Sequence, residues 1–146
     1  MSLTFIPHVT VATIVEQQGR FLMVEEVSNG QVVFNQPAGH LEADESLIQA
    51  AYRETLEETA WSVKIDAITG LYLFRGDNGV TYQRTCFAAE ALEHHANMSL
   101  DEGIIAAHWL TLEEIQDRQT QLRSPLVLQC LLDYLHKPRY PLDLIR

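Results

Sequence analysis

The sequence predicts an α+β domain, layered as an α/β/α sandwich with a mixed β-sheet. Two observations carry this: the hydrophobic patterns run strands, one helix, strands, then helices, and no repeat, low-complexity tract or linker interrupts the 146 residues. With 47% hydrophobic and 21% charged residues, the composition is globular. A chain of this length buries roughly 70% of its unfolded surface without staples. Residues 1–146 are therefore expected to form a single domain.

Each element has a local reason. Residues 8–15 are rich in β-branched side chains, and residues 21–27 follow the turn-like Gln17-Gln18-Gly19-Arg20, which gives two strands. Asn29-Gly30 marks a tight turn into Val32-Val33-Phe34, whereas Pro37 and Gly39 break the pattern before the next element. From Ser46 to Thr59 the apolar residues Leu47, Ile48, Ala50, Ala51 and Leu56 fall at helical spacings. Asp44 or Glu45 just ahead supplies favourable negative charge at the N-terminus of that helix.

Residues 63–74 and 80–89, joined by Asp77-Asn78-Gly79, read as a hairpin, and residues 104–110 as a further strand. Thr111-Leu112-Glu113-Glu114 fits a capping box, so a helix should run to about Gln121. Ser124-Pro125 starts another helix, whose stripe Leu128, Leu131, Leu132 and Leu135 is expected to pack in the core. Pro138 and Pro141 end it.

Charge and cysteine content narrow the function. Ten basic and 20 acidic residues give a net charge of −10, which argues against a nucleic acid polymer or an anionic membrane as partner. A small-molecule phosphate substrate would need bridging cations. Cys86 and Cys130 read as two buried thiols in a reducing compartment. The N-terminus lacks a signal-peptide pattern and no apolar run approaches a membrane span, so the expected location is cytoplasmic. The expected state is a monomer, with a homodimer as the alternative.

The informative segment is Gly39-His40-Leu41-Glu42-Ala43-Asp44-Glu45 leading into Arg53-Glu54-Thr55-Leu56-Glu57-Glu58. Glu54, Glu57 and Glu58 stand at i, i+3 and i+4, which gathers three carboxylates on one helix face, with no basic residue at i±4 expected to neutralise them. Hard divalent cations suit such oxygen donors: Mg²⁺, with Mn²⁺ as a substitute, prefers carboxylates and bridges to phosphates. It also lowers the pKa of a coordinated water, which points to phosphoanhydride hydrolysis. Taken alone, the triplet also fits a solvated acidic face.

The spacing of the whole segment resembles the Nudix box, Gly-x5-Glu-x7-Arg-Glu-U-x-Glu-Glu-x-Gly-U with U a bulky aliphatic residue, matched here by Gly39, Glu45, Arg53, Glu54, Glu57 and Glu58. Thr55 stands at an aliphatic position, and Ala60 replaces the terminal glycine, where a left-handed conformation costs alanine roughly 1 kcal/mol unless the helix runs on by one residue. The resemblance implies a Nudix fold. It also implies Glu54, Glu57, Glu58 and the Gly39 carbonyl as metal ligands, Arg53 with Glu45 as an orienting pair, and Glu54 as general base. A downstream loop carboxylate is the alternative base, with Glu102 preferred to Asp101.

Outside the box, Pro7-His8-Val9-Thr10-Val11-Ala12, Asn35-Gln36-Pro37-Ala38, Leu122-Arg123-Ser124-Pro125-Leu126-Val127 and Arg139-Tyr140-Pro141-Leu142 look like the NudJ-type phosphatases of that family. This subgroup implies a permissive hydrolase of nucleoside di- and triphosphates that releases phosphate. It also acts on the pyrimidine diphosphate of thiamine synthesis and on thiamine diphosphate.

His8, Gln36, His40, Tyr72, Phe74 and Arg75 are the candidates for substrate binding, through aromatic stacking and phosphate contact. His94-His95 reads as a solvated pair. The rivals are a nucleotide-sugar or dinucleotide pyrophosphatase and, from another class, a non-catalytic nucleotide-binding module with the same fold.

Overall fold

The computed structural model describes residues 4–146. Strand β1 (His8–Gln17) and strand β2 (Arg20–Ser28) are joined at Gln18-Gly19, both at positive φ. Asn29-Gly30, also at positive φ, turns β2 into β3 (Gln31–Asn35), so both predicted two-residue turns form. Strand β4 (Ala38–His40) follows, then helix α1 (Leu47–Thr59) and the hairpin of β5 (Trp61–Arg75) and β6 (Thr81–His94). Strand β7 (Ile104–Leu110), helix α2 (Leu112–Asp117), a 3₁₀ turn at Gln119–Gln121 and helix α3 (Pro125–His136) complete the main elements.

Seven strands form the mixed sheet. Strand β1 is its hinge: it pairs parallel with β6 over His8–Val15, antiparallel with β4 at Thr10–Ala12, and antiparallel with β2 at its far end. Strand β2 then holds β3 on one edge and β7 on the other. One apolar cluster joins Val11, Val15 and Phe87 of the sheet to Ala50 and Ala51 of α1. The other joins Ala12, Ile14 and Cys86 to Ile115 of α2 and Leu126, Val127, Cys130 and Leu131 of α3. Helices therefore cover both faces, as the α/β/α prediction requires. Among the described residues no helix is long and apolar enough to cross a membrane.

Four local expectations change. Strand β4 forms across Gly39, where a break was expected, because β1 supplies a full pairing edge at Thr10–Ala12. Helix α1 is capped by Ser46 and Gln49 in a reciprocal box, with no acidic residue in its first turn. Helix α2 stops at Asp117 rather than Gln121: Ile115 is its one buried residue, and nothing apolar follows to hold another α-turn. On α3 the buried stripe is Leu126, Val127, Cys130 and Leu131. Leu128 and Leu132 are only half-buried, and Leu135 is exposed.

Candidate active site

Helix α1 presents its acidic face to β4. Its interior faces the other way: Ala50, Ala51 and Thr55 are fully buried, and the Thr55 hydroxyl donates to Ala51 O at 2.8 Å. A threonine therefore serves at the aliphatic position of the box, its polar atom satisfied within the helix. The helix ends at Thr59, and Ala60 adopts the left-handed conformation (φ 60°, ψ 19°) with its N–H on Leu56 O. The substitution of alanine for glycine leaves the geometry of the turn unchanged.

Arg53 organises the acids. Its Nε and Nη2 grip Glu45 bidentately at 2.6 and 3.0 Å, while Nη1 reaches Glu54 at 2.8 Å and Glu57 at 3.2 Å. Nη2 also donates to His40 O at 3.0 Å, tying α1 to β4. Arg53 lies four residues before Glu57 and neutralises part of the face expected to lack a basic residue. Its hydrogen bonds hold the Glu45 carboxyl below the usual carboxylate range, and the surrounding acids raise the guanidinium. One side chain thus fixes three of the four box glutamates.

Gly39 is required for close approach. A Cβ there would overlap the Glu54 carboxylate, so that carboxylate occupies its place against β4 because residue 39 has no side chain. Glu58 is buried and accepts the Ala38 N–H at 2.8 Å. Burial pushes its carboxyl up to about 9, against that hydrogen bond, and the charges of Glu26, Glu54 and Asp101 push the same way. Burial likewise raises Glu54. Buried like charges of this kind favour a cation in their midst.

The β6–β7 connection closes over the end of α1. His95 N–H donates to Ala60 O at 2.8 Å and Asp101 N–H to Glu57 O at 3.0 Å, using carbonyls that the helix end leaves free. Carboxylate oxygens of Glu54, Glu57 and Asp101 come within 4.8 Å of one another. The loop residue in this cluster is Asp101; Glu102, preferred in the sequence, is exposed and outside it. An all-oxygen donor set fits a hard divalent cation, and Glu54, Glu57 and Asp101, with the buried Glu58 on the same helix face, are the groups that could hold one.

The six expected substrate-binding residues separate. His8 Nδ1 and His40 Nε2 lie 3.2 Å apart, with Tyr82 edge-on to both rings, and burial, His8 and Arg123 lower the His40 pKa. Gln36 is fully buried, donating to Val127 O at 2.6 Å and accepting from Arg84 at 3.2 Å, so its amide holds α3 to the sheet and has no free face for a substrate. The Tyr72 hydroxyl donates to Asp133 at 2.7 Å, and Tyr72 and Phe74 pack against the α3-side core. Arg75 is exposed at the end of β5. His94 ends β6 with its ring against Trp61, 5.0 Å between centroids, and His95 meets the Ser62 hydroxyl.

Sequence reasoning missed Glu26, which is buried, ion-paired to Arg123 and close enough to raise Glu58. It also missed the buried Arg84. Both lie in strand patterns where an isolated charge carries no spacing signal.

Comparison with known proteins agrees with this geometry. Residues 4–130 match the NUDIX domain family. Phosphatase NudJ of Escherichia coli strain K12 is 41% identical over 141 residues, covering 97% of this chain and 92% of that protein. A NUDIX hydrolase structure from Nitrosomonas europaea superposes with a TM-score of 0.95 at 44% identity, covering 97% of each chain. The MutT protein of Methanosarcina mazei Go1, at 22% identity and a TM-score of 0.73 over 94% of this chain and all of that one, shares the fold.

Proposed function

The chain belongs to the NUDIX hydrolase family, and from that premise we propose that it hydrolyses phosphoanhydride bonds in small organic di- and triphosphates, using Mg²⁺ and releasing phosphate. The observation that carries this reading is the convergence of Glu54, Glu57 and Asp101 on a helix face fixed by Arg53. Nucleoside di- and triphosphates are the proposed substrates, with the thiamine pyrimidine diphosphate and thiamine diphosphate as further ones. The likeness to phosphatase NudJ supports phosphate release over the two-product cleavage of a nucleotide-sugar pyrophosphatase.

Glu54, Glu57, Glu58, Asp101 and the Gly39 carbonyl are the proposed ligand set, with Mn²⁺ able to substitute. The bound cation neutralises phosphoryl charge and acidifies water. Glu54 is the proposed general base: its carboxylate belongs to the acidic cluster and is held in place by Arg53 Nη1 at 2.8 Å. It takes the proton as the water oxygen bonds to phosphorus, the bridging P–O bond breaks and the electron pair leaves with the departing phosphate. Glu45 acts through Arg53, which holds Glu54 and Glu57 in place.

A phosphate-release assay over GDP, other nucleotides, nucleotide sugars and thiamine-pathway diphosphates tests the reading. Free phosphate from GDP in millimolar Mg²⁺ is expected, with at least a thousandfold loss in Glu57→Gln and no loss of fold. AMP release from ADP-ribose as the dominant activity, or tight nucleotide binding without turnover, would overturn it.

A further inference from the structure

We propose that Arg123 binds a phosphate of the substrate and that the groove beside it along α3 receives the substrate's organic moiety. This rests on the hydrolase reading above. Four guanidinium groups surround β3 and β4: Arg118 lies over the Phe34 ring and donates to Glu114 O at 2.9 Å, and two others are engaged within hydrogen-bond networks of the fold. Arg53 spends all three nitrogens on Glu45, Glu54, Glu57 and the His40 carbonyl. Arg84 is buried, with its Nη atoms on Asn35, Gln36 and Cys130. Arg123 differs: among the described residues its side chain has one polar partner, Glu26, reached through Nη1, and it remains 49% exposed. Its other nitrogens can bond a phosphate while Glu26 fixes the plane of the guanidinium.

Its position is set by the backbone and not by the long side chain alone. Arg123 N–H donates to Phe34 O at 2.9 Å, and Leu122 forms a bridge to the same residue, so the α2–α3 connection is pinned to β3. From there Arg123 faces two regions at once. On one side its partner Glu26 stands in register with Ile104 of β7, whose N–H donates to the carbonyl of Asp101 at 3.1 Å, a member of the carboxylate cluster. On the other side it lines an open groove of about 590 Å³ with Leu122, Pro125, Leu128, Leu132 and Gln129.

That volume lies within the range of small-molecule sites. The lining explains the half-buried Leu128 and Leu132 that the sequence pattern assigned to the core: with Leu122 and Pro125 they form the apolar part of a groove that Arg123, Asp77 and Asp133 also line. Such an apolar surface suits the organic part of a phosphate ester, and the arginine suits its phosphate.

The test compares GDP with methyl diphosphate, which keeps the anhydride and lacks a large organic group. Arg123→Ala should raise KM for both substrates at least tenfold with kcat within threefold, and Arg123→Lys should recover part of that loss. Leu128→Trp should lower kcat/KM for GDP at least ten times more than for methyl diphosphate. An unchanged KM in Arg123→Ala, or equal losses for the two substrates in Leu128→Trp, overturns the proposal. Where stranding Glu26 unfolds Arg123→Ala, the double variant Glu26→Gln/Arg123→Ala carries the same readout. A parent enzyme that releases phosphate from neither substrate overturns the hydrolase reading itself, whereas an active parent with unaffected variants removes only the Arg123 assignment.

Discussion

Arg53 and Arg84 sit on opposite faces of the sheet and solve opposite problems. Arg53, on α1, bonds three carboxylates and a carbonyl, holding negative charge in a half-buried place where carboxylates alone would repel. Arg84, on β6, is itself the buried charge, and its acceptors are the amide oxygens of Asn35 and Gln36 and the Cys130 sulfur at 3.7 Å. The Cys86 thiol and the Arg84 guanidinium draw the Cys130 thiol down, against its burial. The first network leaves the acids short of positive charge and ready for a cation. The second turns both Arg84 Nη atoms to acceptors of the fold and ties β3, β6 and α3 together. Net charge in a half-buried cluster thus marks a place for chemistry, and a saturated buried charge marks a place for cohesion.

Removing each arginine tests that division. Arg53→Ala frees Glu45, Glu54 and Glu57 to repel, and breaking a largely buried pair costs about 3 kcal/mol. Tm should fall by roughly 10 °C, with phosphate release from GDP down at least a thousandfold. Arg53→Lys should restore little, since an ammonium cannot hold Glu45 bidentately and still reach Glu54. Arg84→Met should also lower Tm, because Asn35 and Gln36 lose their donor, yet keep turnover within about tenfold of the parent. Thermal denaturation and phosphate release on the same preparations read both. Equal activity losses would erase the distinction.

The difference also explains what was legible in the sequence. The Arg53 network lies within residues 39–58, on one strand, one helix and the loop between them, so fixed offsets translate directly into proximity, and the acidic face could be read from spacing. The Arg84 network draws Asn35 and Gln36, Arg84, and Cys130 from three separated segments, and only the folded sheet brings them together. Asp101 shows the intermediate case. Sequence pointed to the Asp101-Glu102 turn, but the choice between adjacent acids depended on a hydrogen bond from Asp101 N–H to Glu57 O, which no local pattern encodes. The α3 stripe failed for a similar reason: helical periodicity identifies apolar residues but not which of two adjacent apolar faces the sheet covers.

The cation-seeking character of the α1 face has a pH signature. Glu58 ionises near 9 in the folded protein and near 4 when unfolded. Between those values the unfolded chain has lost a proton that the folded chain keeps, so stability falls as pH rises from about 4 through 9. Glu54, raised in the same direction, adds to this slope. In metal-free buffer, Tm should therefore drop by several degrees from pH 5 to pH 9, and saturating Mg²⁺ should flatten the curve. Glu58→Gln should raise the metal-free Tm at pH 8.5 by a few degrees and lose most of the Mg²⁺ response. A Tm that rises with pH in chelator would show that the cluster is not destabilised by its own charge.

The smallest effect concerns how α1 ends. Strand β5 begins at Trp61, directly after the helix, so the chain must reverse in one residue; Thr59 Oγ1 accepts the Trp61 N–H at 3.2 Å and Ala60 O accepts from His95. Those contacts hold Ala60 at φ 60°, where its Cβ is strained by roughly 1 kcal/mol. Glycine relieves the strain but gives back part of the gain through greater freedom in the unfolded chain. Ala60→Gly should therefore raise Tm by about 2 °C, with kcat and KM unchanged, because Glu54, Glu57 and Glu58 are fixed by Arg53 and Ala38 and not by the turn. A lower Tm would mean that the Ala60 methyl, which is itself buried, contributes more through packing than its backbone loses to strain.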